Sequence, residues 1–108
     1  MEVQSERTGE TAVIRPLGDV DMSGSPELRA SIRAAQNEGP RRVVVDLAEV
    51  AYMDSSGLAT LVEAMKNAKA SGSELILASM GEKVRAIFEI ARLDAYFRIV
   101  GSVDEVAG

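Results

Sequence analysis

The chain has 108 residues, of which 46% are hydrophobic and 27% charged, and its formal net charge is −5 at pH 7. This length is close to the usual size of one compact domain, so residues 1–108 are expected to form a single domain. The negative charge argues against direct nucleic-acid binding, which needs Lys and Arg to neutralise phosphates.

No run of the sequence approaches the roughly 20 apolar residues that a membrane span needs. Residues 1–6 also lack the basic start and apolar core of a secretory signal, which predicts a cytoplasmic location. The chain contains neither cysteine nor histidine. Catalytic Ser-His-Asp or Cys-His arrangements and the usual zinc sites therefore cannot be assembled from it, and we expect no catalytic residue, metal or cofactor.

The first elements are predicted to form a β-hairpin. A weak strand around residues 3–7 and a second run at residues 11–17 flank a turn at residues 8–10. Pro16 lies inside the second run and has no backbone N–H. It must therefore occupy a bulge or an outer position, where no ladder hydrogen bond is required.

A helix and a buried strand follow the hairpin. Ser25 supplies a capping hydroxyl and Pro26 suits the first helical position, so we predict a helix over roughly residues 26–38. Gly39 and the proline after it end this helix. The β-branched run at residues 42–47 is typical of a strand covered on both faces.

The second half of the chain alternates helices and strands. An apolar stripe at helical spacing predicts a second helix that ends at Gly72; its members are Leu58, Leu61, Val62, Met65 and Ala68. Residues 74–78 predict a buried strand, and a third amphipathic helix begins near Gly81. A last strand at residues 97–100 and a short terminal helix at residues 103–106 complete the order β-β-α-β-α-β-α-β-α.

This alternation indicates an α/β fold with parallel pairing and helices on the sheet. Loops that leave the carboxyl ends of parallel strands share one edge, where sites usually form. The sequence thereby gathers Asp19, Asp21, Asp54 and Ser55 on one side, with Gly81 nearby.

The segment Asp54-Ser55-Ser56-Gly57 precedes the second helix, so Ser55 or Ser56 is predicted to be its N-cap. Unpaired N–H groups and the helix dipole make such a terminus a potential binding site for a phosphate. The alternative is that these residues only cap the helix, because Asp and Ser are common caps.

The wider segment, residues 43–58, closely resembles the central signature of STAS domains, in which a hydrophobic strand and Asp-Leu precede Asp-Ser-Ser-Gly-Leu. Residues 18–21 are similar to the family's Gly-acid-x-Asp, and residues 84–88 resemble its third helix. The resemblance implies a STAS-type mixed, largely parallel sheet with crossover helices. Pro16 and Ala59 depart from the family pattern.

By this resemblance, the chain is an anti-sigma-factor antagonist that acts by partner switching. Its unphosphorylated form binds an anti-sigma factor that is itself a serine kinase, and thereby releases the sigma factor. The kinase phosphorylates Ser55, with Ser56 as second choice, and this abolishes binding until a PP2C-type phosphatase removes the phosphate. The predicted partner-binding residues are Asp19, Asp21, Asp54, Ser56, Gly57, Ala59, Thr60 and Glu63.

Some of these residues also have purely structural interpretations. Asp19 and Asp21 are acids of a kind that often stabilises turns through their own carboxylates, and Asp46 at a strand end is expected to be structural. We place Ala59, Thr60 and Glu63 on the outward face of the second helix, where an ordinary solvated face would look the same.

Other functions remain open at this point. The same fold serves as a partner-binding module in stressosomes, in secretion or biofilm regulation and in lipid transport. A small enzyme using Asp54, Asp21 and Ser55 is disfavoured because neither a phosphate-cradling loop nor a metal motif accompanies them. Nucleotide binding at the helix N-terminus has no base-recognition feature to support it.

Overall fold

The computed structural model describes residues 1–106, which form one five-stranded sheet in the order β1-β2-β3-β4-β5. The β1–β2 pair is antiparallel and the other three pairs are parallel. This mixed, largely parallel sheet confirms the predicted α/β fold. The elements in chain order are β1 (Glu2–Thr8), β2 (Thr11–Leu17), α1 (Ser25–Asn37), β3 (Arg42–Asp46), α2 (Ser55–Ser71), β4 (Glu74–Ala78), α3 (Glu82–Ile90), β5 (Arg98–Val100) and a terminal 3₁₀ helix (Val103–Val106).

The sheet has two unequal faces because successive strand residues point to opposite sides. One face belongs to a large core to which all three helices contribute, and its fully buried members include Ile14, Val45, Leu28, Leu61 and Phe88. The other face carries a smaller cluster of Val13, Val44 and Ile76, against which Val106 of the terminal 3₁₀ helix packs.

The hairpin forms in unbroken register from Glu2 opposite Leu17 to Thr8 opposite Thr11. Pro16 therefore causes no bulge. It lies opposite Val3 and beyond Ile14, which is the last β2 residue paired with β3. The predicted outer position of the proline is confirmed, and the missing N–H interrupts no bond to β3.

The boundaries of α1 differ from the prediction. The helix begins at Ser25, its N-cap is Gly24, and no side chain caps it there. Ser25 is 5% exposed, so it packs inside the first turn instead of capping from outside. The amides at the start of the helix bond to the preceding loop instead: the N–H groups of Gly24 and Ser25 donate to the carbonyl oxygen of Asp21.

The last strand is one residue shorter than predicted, and the terminal helix has the predicted bounds. Strand β5 begins at Arg98, because Phe97 turns into the core, where it is 6% exposed and meets the edge of Phe88 with ring centroids 5.6 Å apart. The terminal helix is a single 3₁₀ turn. Within residues 1–106, no helix is both long and apolar enough to cross a bilayer.

A polar pair on the second face of the sheet ties β2 to β3. Asp46 is 5% exposed, and one of its oxygens accepts from Arg15 Nε at 2.9 Å while the other accepts from Ala48 N at 3.0 Å. The hydrogen bond to Asp46 raises the pKa of Arg15 above its usual value. These contacts give Asp46 a role in joining strands.

We predict that Asp46→Ala lowers the free energy of unfolding by about 2 kcal/mol in urea denaturation. This is below the ~3–5 kcal/mol for breaking a fully buried pair because Arg15 keeps part of its hydration. The matched control is Glu74→Ala, which breaks the exposed Arg98–Glu74 pair and should cost under ~1 kcal/mol. Equal losses from the two variants would contradict the assignment.

Candidate functional site

The N-cap of α2 is Asp54, and the prediction that Ser55 or Ser56 would cap it is wrong. Asp54 Oδ1 accepts from the backbone N–H of Ser56 at 2.9 Å and of Gly57 at 3.3 Å. A carboxylate one residue earlier reaches these first-turn amides with good geometry and adds a favourable interaction with the helix dipole. Both serines therefore lie inside the first turn.

The two serines of the motif are in different environments. The hydroxyl of Ser56 donates to Asp54 Oδ1 at 2.6 Å, and its side chain is half-buried. Ser55 is exposed, and within residues 1–106 its hydroxyl makes no hydrogen bond. A modifying enzyme could reach the hydroxyl of Ser55 without breaking a contact, whereas Ser56 would have to leave the cap.

The backbone amides at this helix N-terminus are not all free to bind a phosphate, contrary to the expectation from sequence. The amides of Ser56 and Gly57 already donate to the Asp54 carboxylate. A phosphate on Ser55 would lie beside this negative group and could take the two amides only by displacing it. The exposed position of Ser55 therefore leaves room for the modification, but the amides of Ser56 and Gly57 are not free to neutralise its charge.

The loop after β2 repeats the pattern of the loop before α2. Asp21 Oδ1 accepts from the backbone N–H of Ser23 at 3.0 Å, from its hydroxyl at 2.7 Å and from the N–H of Gly24 at 3.1 Å. Asp54 has the same three contacts in Asp-Ser-Ser-Gly that Asp21 has in Asp-Met-Ser-Gly. We call these two segments, residues 21–24 and 54–57, the twin loops.

Hydrogen bonding keeps both twin-loop carboxylates ionised. The Ser23 hydroxyl, followed by the amides of Ser23 and Gly24, lowers the pKa of Asp21 below its usual value. The Ser56 hydroxyl, helped by the amides of Gly57 and Ser56, lowers the pKa of Asp54, although desolvation and the nearby Asp21 charge oppose this shift. The site therefore presents negative charge at neutral pH.

A short parallel bridge holds the twin loops side by side. Val20 pairs with Met53; Val20 N donates to Tyr52 O at 3.0 Å, and Asp54 N donates to Val20 O at 3.0 Å. Val20 is fully buried and Met53 is 1% exposed, so the bridge belongs to the core. The residues that follow, Asp21 and Asp54, are thereby brought together as predicted, and the exposed Asp19 precedes the bridge.

Gly57 lies directly above this bridge. A Cβ atom on Gly57 would stand 2.5 Å from Met53 Cγ and 2.9 Å from Val20 Cγ1, closer than real Cβ atoms come. The glycine is therefore required for close packing of α2 on the bridge. It is buried, so its contribution to the site is to position the residues around it.

The predicted outward face of α2 is only partly outward. Ala59 is exposed, but Thr60 is 2% exposed and its hydroxyl donates to Ser56 O at 2.9 Å, so the placement of Thr60 on that face is wrong. Glu63 is half-buried between two arginines of α1: its Oε2 lies 2.9 Å from Arg29 Nε, and its Oε1 pairs with Arg33. Glu63 therefore joins two helices.

Two exposed apolar residues, one within the twin loops and one next to the Val20–Met53 bridge, were not predicted from the sequence. Met22 is 79% exposed and Tyr52 is 51% exposed. The repeated Asp-x-Ser-Gly pattern, with Met22 and Ser55 at its variable position, is the signal that would have found Met22. Among residues 1–106, no group of three or more acidic side chains could hold a metal ion.

We predict that the stabilising effect of Asp54 depends on pH. Because its pKa is lowered on folding, its ionised form stabilises the fold above the unfolded-state value of 3.8, and this contribution is lost as the pH falls through the lower folded-state pKa. Asp54→Asn should therefore cost more stability at pH 6 than at pH 3, as measured by urea denaturation. An equal cost at the two pH values would contradict this.

Gly57→Ala should destabilise the protein despite the better helix propensity of alanine. The propensity gain is at most ~1 kcal/mol, whereas overpacking costs about 1–3 kcal/mol, so we expect a net loss of about 1 kcal/mol in chemical denaturation. The same substitution made in a Met53→Ala background should cost less, because the closest atom has been removed. Identical costs in the two backgrounds would count against this packing account.

Comparison with known proteins agrees with this geometry. The STAS-domain family model matches residues 2–106. The anti-sigma-B factor antagonist of Listeria monocytogenes is 31% identical over 91 residues, covering 84% of this chain and 80% of that protein. The anti-sigma-B factor antagonist of Staphylococcus aureus is 32% identical over 76 residues, covering 70% of each chain.

Solved structures give the same result. The Bacillus cell fate determinant SpoIIAA in its phosphorylated form superposes with a TM-score of 0.75 at 26% identity, over 97% of this chain and 96% of that one. An anti-sigma factor antagonist from Mycobacterium paratuberculosis superposes with a TM-score of 0.83 at 25% identity, over 96% and 88%. From the matched family model and these relatives, we conclude that the chain belongs to the STAS-domain family.

Proposed function

We propose that this protein is an anti-sigma-factor antagonist whose binding is switched off by phosphorylation of Ser55. The observation that carries the proposal is the contrast between the serines: Ser55 is exposed and its hydroxyl has no hydrogen-bond partner among the described residues, while the Ser56 hydroxyl donates to Asp54. The names of the relatives support the antagonist role. SpoIIAA, which has a phosphorylated form, supports the choice of a phosphate switch.

The unphosphorylated protein docks on the anti-sigma factor through the edge that carries the twin loops. Asp19, Asp21 and Asp54 supply charge there, and Ser55 and Ala59 supply small exposed surfaces. Ser56, Gly57, Thr60 and Glu63 contribute by holding this surface in shape, as their hydrogen bonds, packing and ion pairs indicate.

Phosphorylation acts through charge. A phosphate adds about two negative charges beside Asp54, and two amides that could help to neutralise them, those of Ser56 and Gly57, already donate to Asp54. The fold has no need to rearrange, so binding is lost by repulsion and by the cost of dehydrating the phosphate at an interface. The anti-sigma factor is the serine kinase, a PP2C-type phosphatase restores the active form, and the exchange takes place in the cytoplasm.

The serine assignment is tested by incubating the protein with ATP, Mg²⁺ and the anti-sigma kinase encoded beside it, and mapping phosphate by mass spectrometry. Ser55→Ala should abolish incorporation, and Ser56→Ala should retain it provided that circular dichroism shows the variant folded. Phosphate on neither serine would overturn the switch and leave a STAS module that binds partners without it.

The electrostatic account makes a separate prediction. Ser55→Asp should weaken binding of the anti-sigma factor at least tenfold in titration calorimetry, because it adds an acid beside Asp54. Ser55→Asn is the uncharged control of similar size and should bind more tightly than Ser55→Asp. Binding of Ser55→Asp as tight as that of the unmodified protein would refute the account.

A further inference from the structure

The twin loops place Met22 and Ser55 at matching positions. The Val20–Met53 bridge brings the two segments together at Asp21 and Asp54, which directly follow it, and Met22 and Ser55 are the next residues of the two segments. In each loop the aspartate oxygen bonds to the second and third residues after it. The residue directly after each aspartate, Met22 or Ser55, takes no part in these hydrogen bonds.

We propose that Met22 is a hydrophobic anchor for the anti-sigma factor, inserting into an apolar pocket whose rim carries basic side chains. This inference rests on the proposed function and adds to it the residue that contributes most of the apolar contact. It also states the chemistry of the partner surface: an apolar depression next to positive charge, facing the acids of this edge.

The exposure of Met22 has no explanation in the folding of this chain. Its side chain is 79% exposed, and leaving that much apolar surface in water forgoes the stabilisation that burial gives. Single exposed apolar residues are common, but here Tyr52, 51% exposed, adjoins the same bridge. Methionine and tyrosine are both enriched in protein interfaces, and the flexible methionine adapts to irregular pockets.

The negative charge around Met22 indicates which kind of partner surface would bind it. Met22 directly follows Asp21, and Asp19 and Asp54 lie at the same edge. A second copy of this acidic chain or an acidic partner would be repelled there, whereas a basic rim is attracted. The capping hydrogen bonds also hold the loops in shape before binding, so little conformational entropy is lost on docking.

This arrangement couples the anchor to the switch. Met22 and Ser55 belong to the two loops that the Val20–Met53 bridge joins, so a partner surface that buries Met22 is expected to cover Ser55 as well. A serine hydroxyl tolerates this dehydration, but a phosphate holds its water strongly. Phosphorylation of Ser55 would therefore keep Met22 in solvent.

The test compares Met22→Ala, Met22→Leu and Ile90→Ala for binding to the purified anti-sigma kinase by titration calorimetry. Ile90 is the matched control because it is 84% exposed and lies at the end of α3. We expect Met22→Ala to weaken binding about 10- to 100-fold, Met22→Leu to stay within about threefold and Ile90→Ala to stay within about twofold. Thermal melts should be unchanged.

The effect of Met22→Ala should persist at high salt, because screening weakens the contribution of the acids and leaves the apolar one. If the unmodified protein binds the kinase and Met22→Ala binds equally well, the anchor is refuted while the proposed function stands. If the unmodified protein binds no anti-sigma factor, both are refuted.

Discussion

The parallel bridge between Val20 and Met53 is the contact on which the functional edge depends. It joins the loop after β2 to the loop before α2 through two backbone hydrogen bonds of 3.0 Å, and its side chains are buried. Gly57 makes the arrangement possible because no other residue lets α2 approach so closely. Without this junction, Asp21 and Asp54 would belong to unrelated loops.

The hydrogen bonds of the two aspartates beside this bridge bear on the proposed charge switch. Asp54 caps α2, Asp21 accepts from the amides of Ser23 and Gly24 in the loop before α1, and each aspartate also accepts from one serine hydroxyl. The amides of Ser56 and Gly57 at the α2 terminus already donate to Asp54 and are not vacant for a phosphate at Ser55. In the proposed switch, the phosphate charge repels a partner while Asp54 continues to cap the helix. The same engagement separates Ser55 from Ser56, which are chemically alike.

Most of the fold was predictable because its signals are local. Apolar periodicity located the three helices, and β-branched or alternating runs located the strands. The boundaries failed where long-range packing competes with local preference: Ser25 is drawn into the helix, and Phe97 leaves its strand to pack on Phe88. The cap of α2 was misassigned because Asp54, Ser55 and Ser56 all have capping propensity, and backbone geometry decides among them.

The sequence by itself determined the family resemblance, the alternation of elements and the motif around Ser55, because these depend on residue order and spacing. Only the tertiary structure decided that Ser56, and not Ser55, bonds to Asp54, that Thr60 faces inward, and that the loops carrying Met22 and Ser55 are joined. The reason is physical: a hydroxyl's partner, a side chain's burial and the alignment of two loops depend on residues far apart in the chain. No local pattern contains the register of the Val20–Met53 bridge.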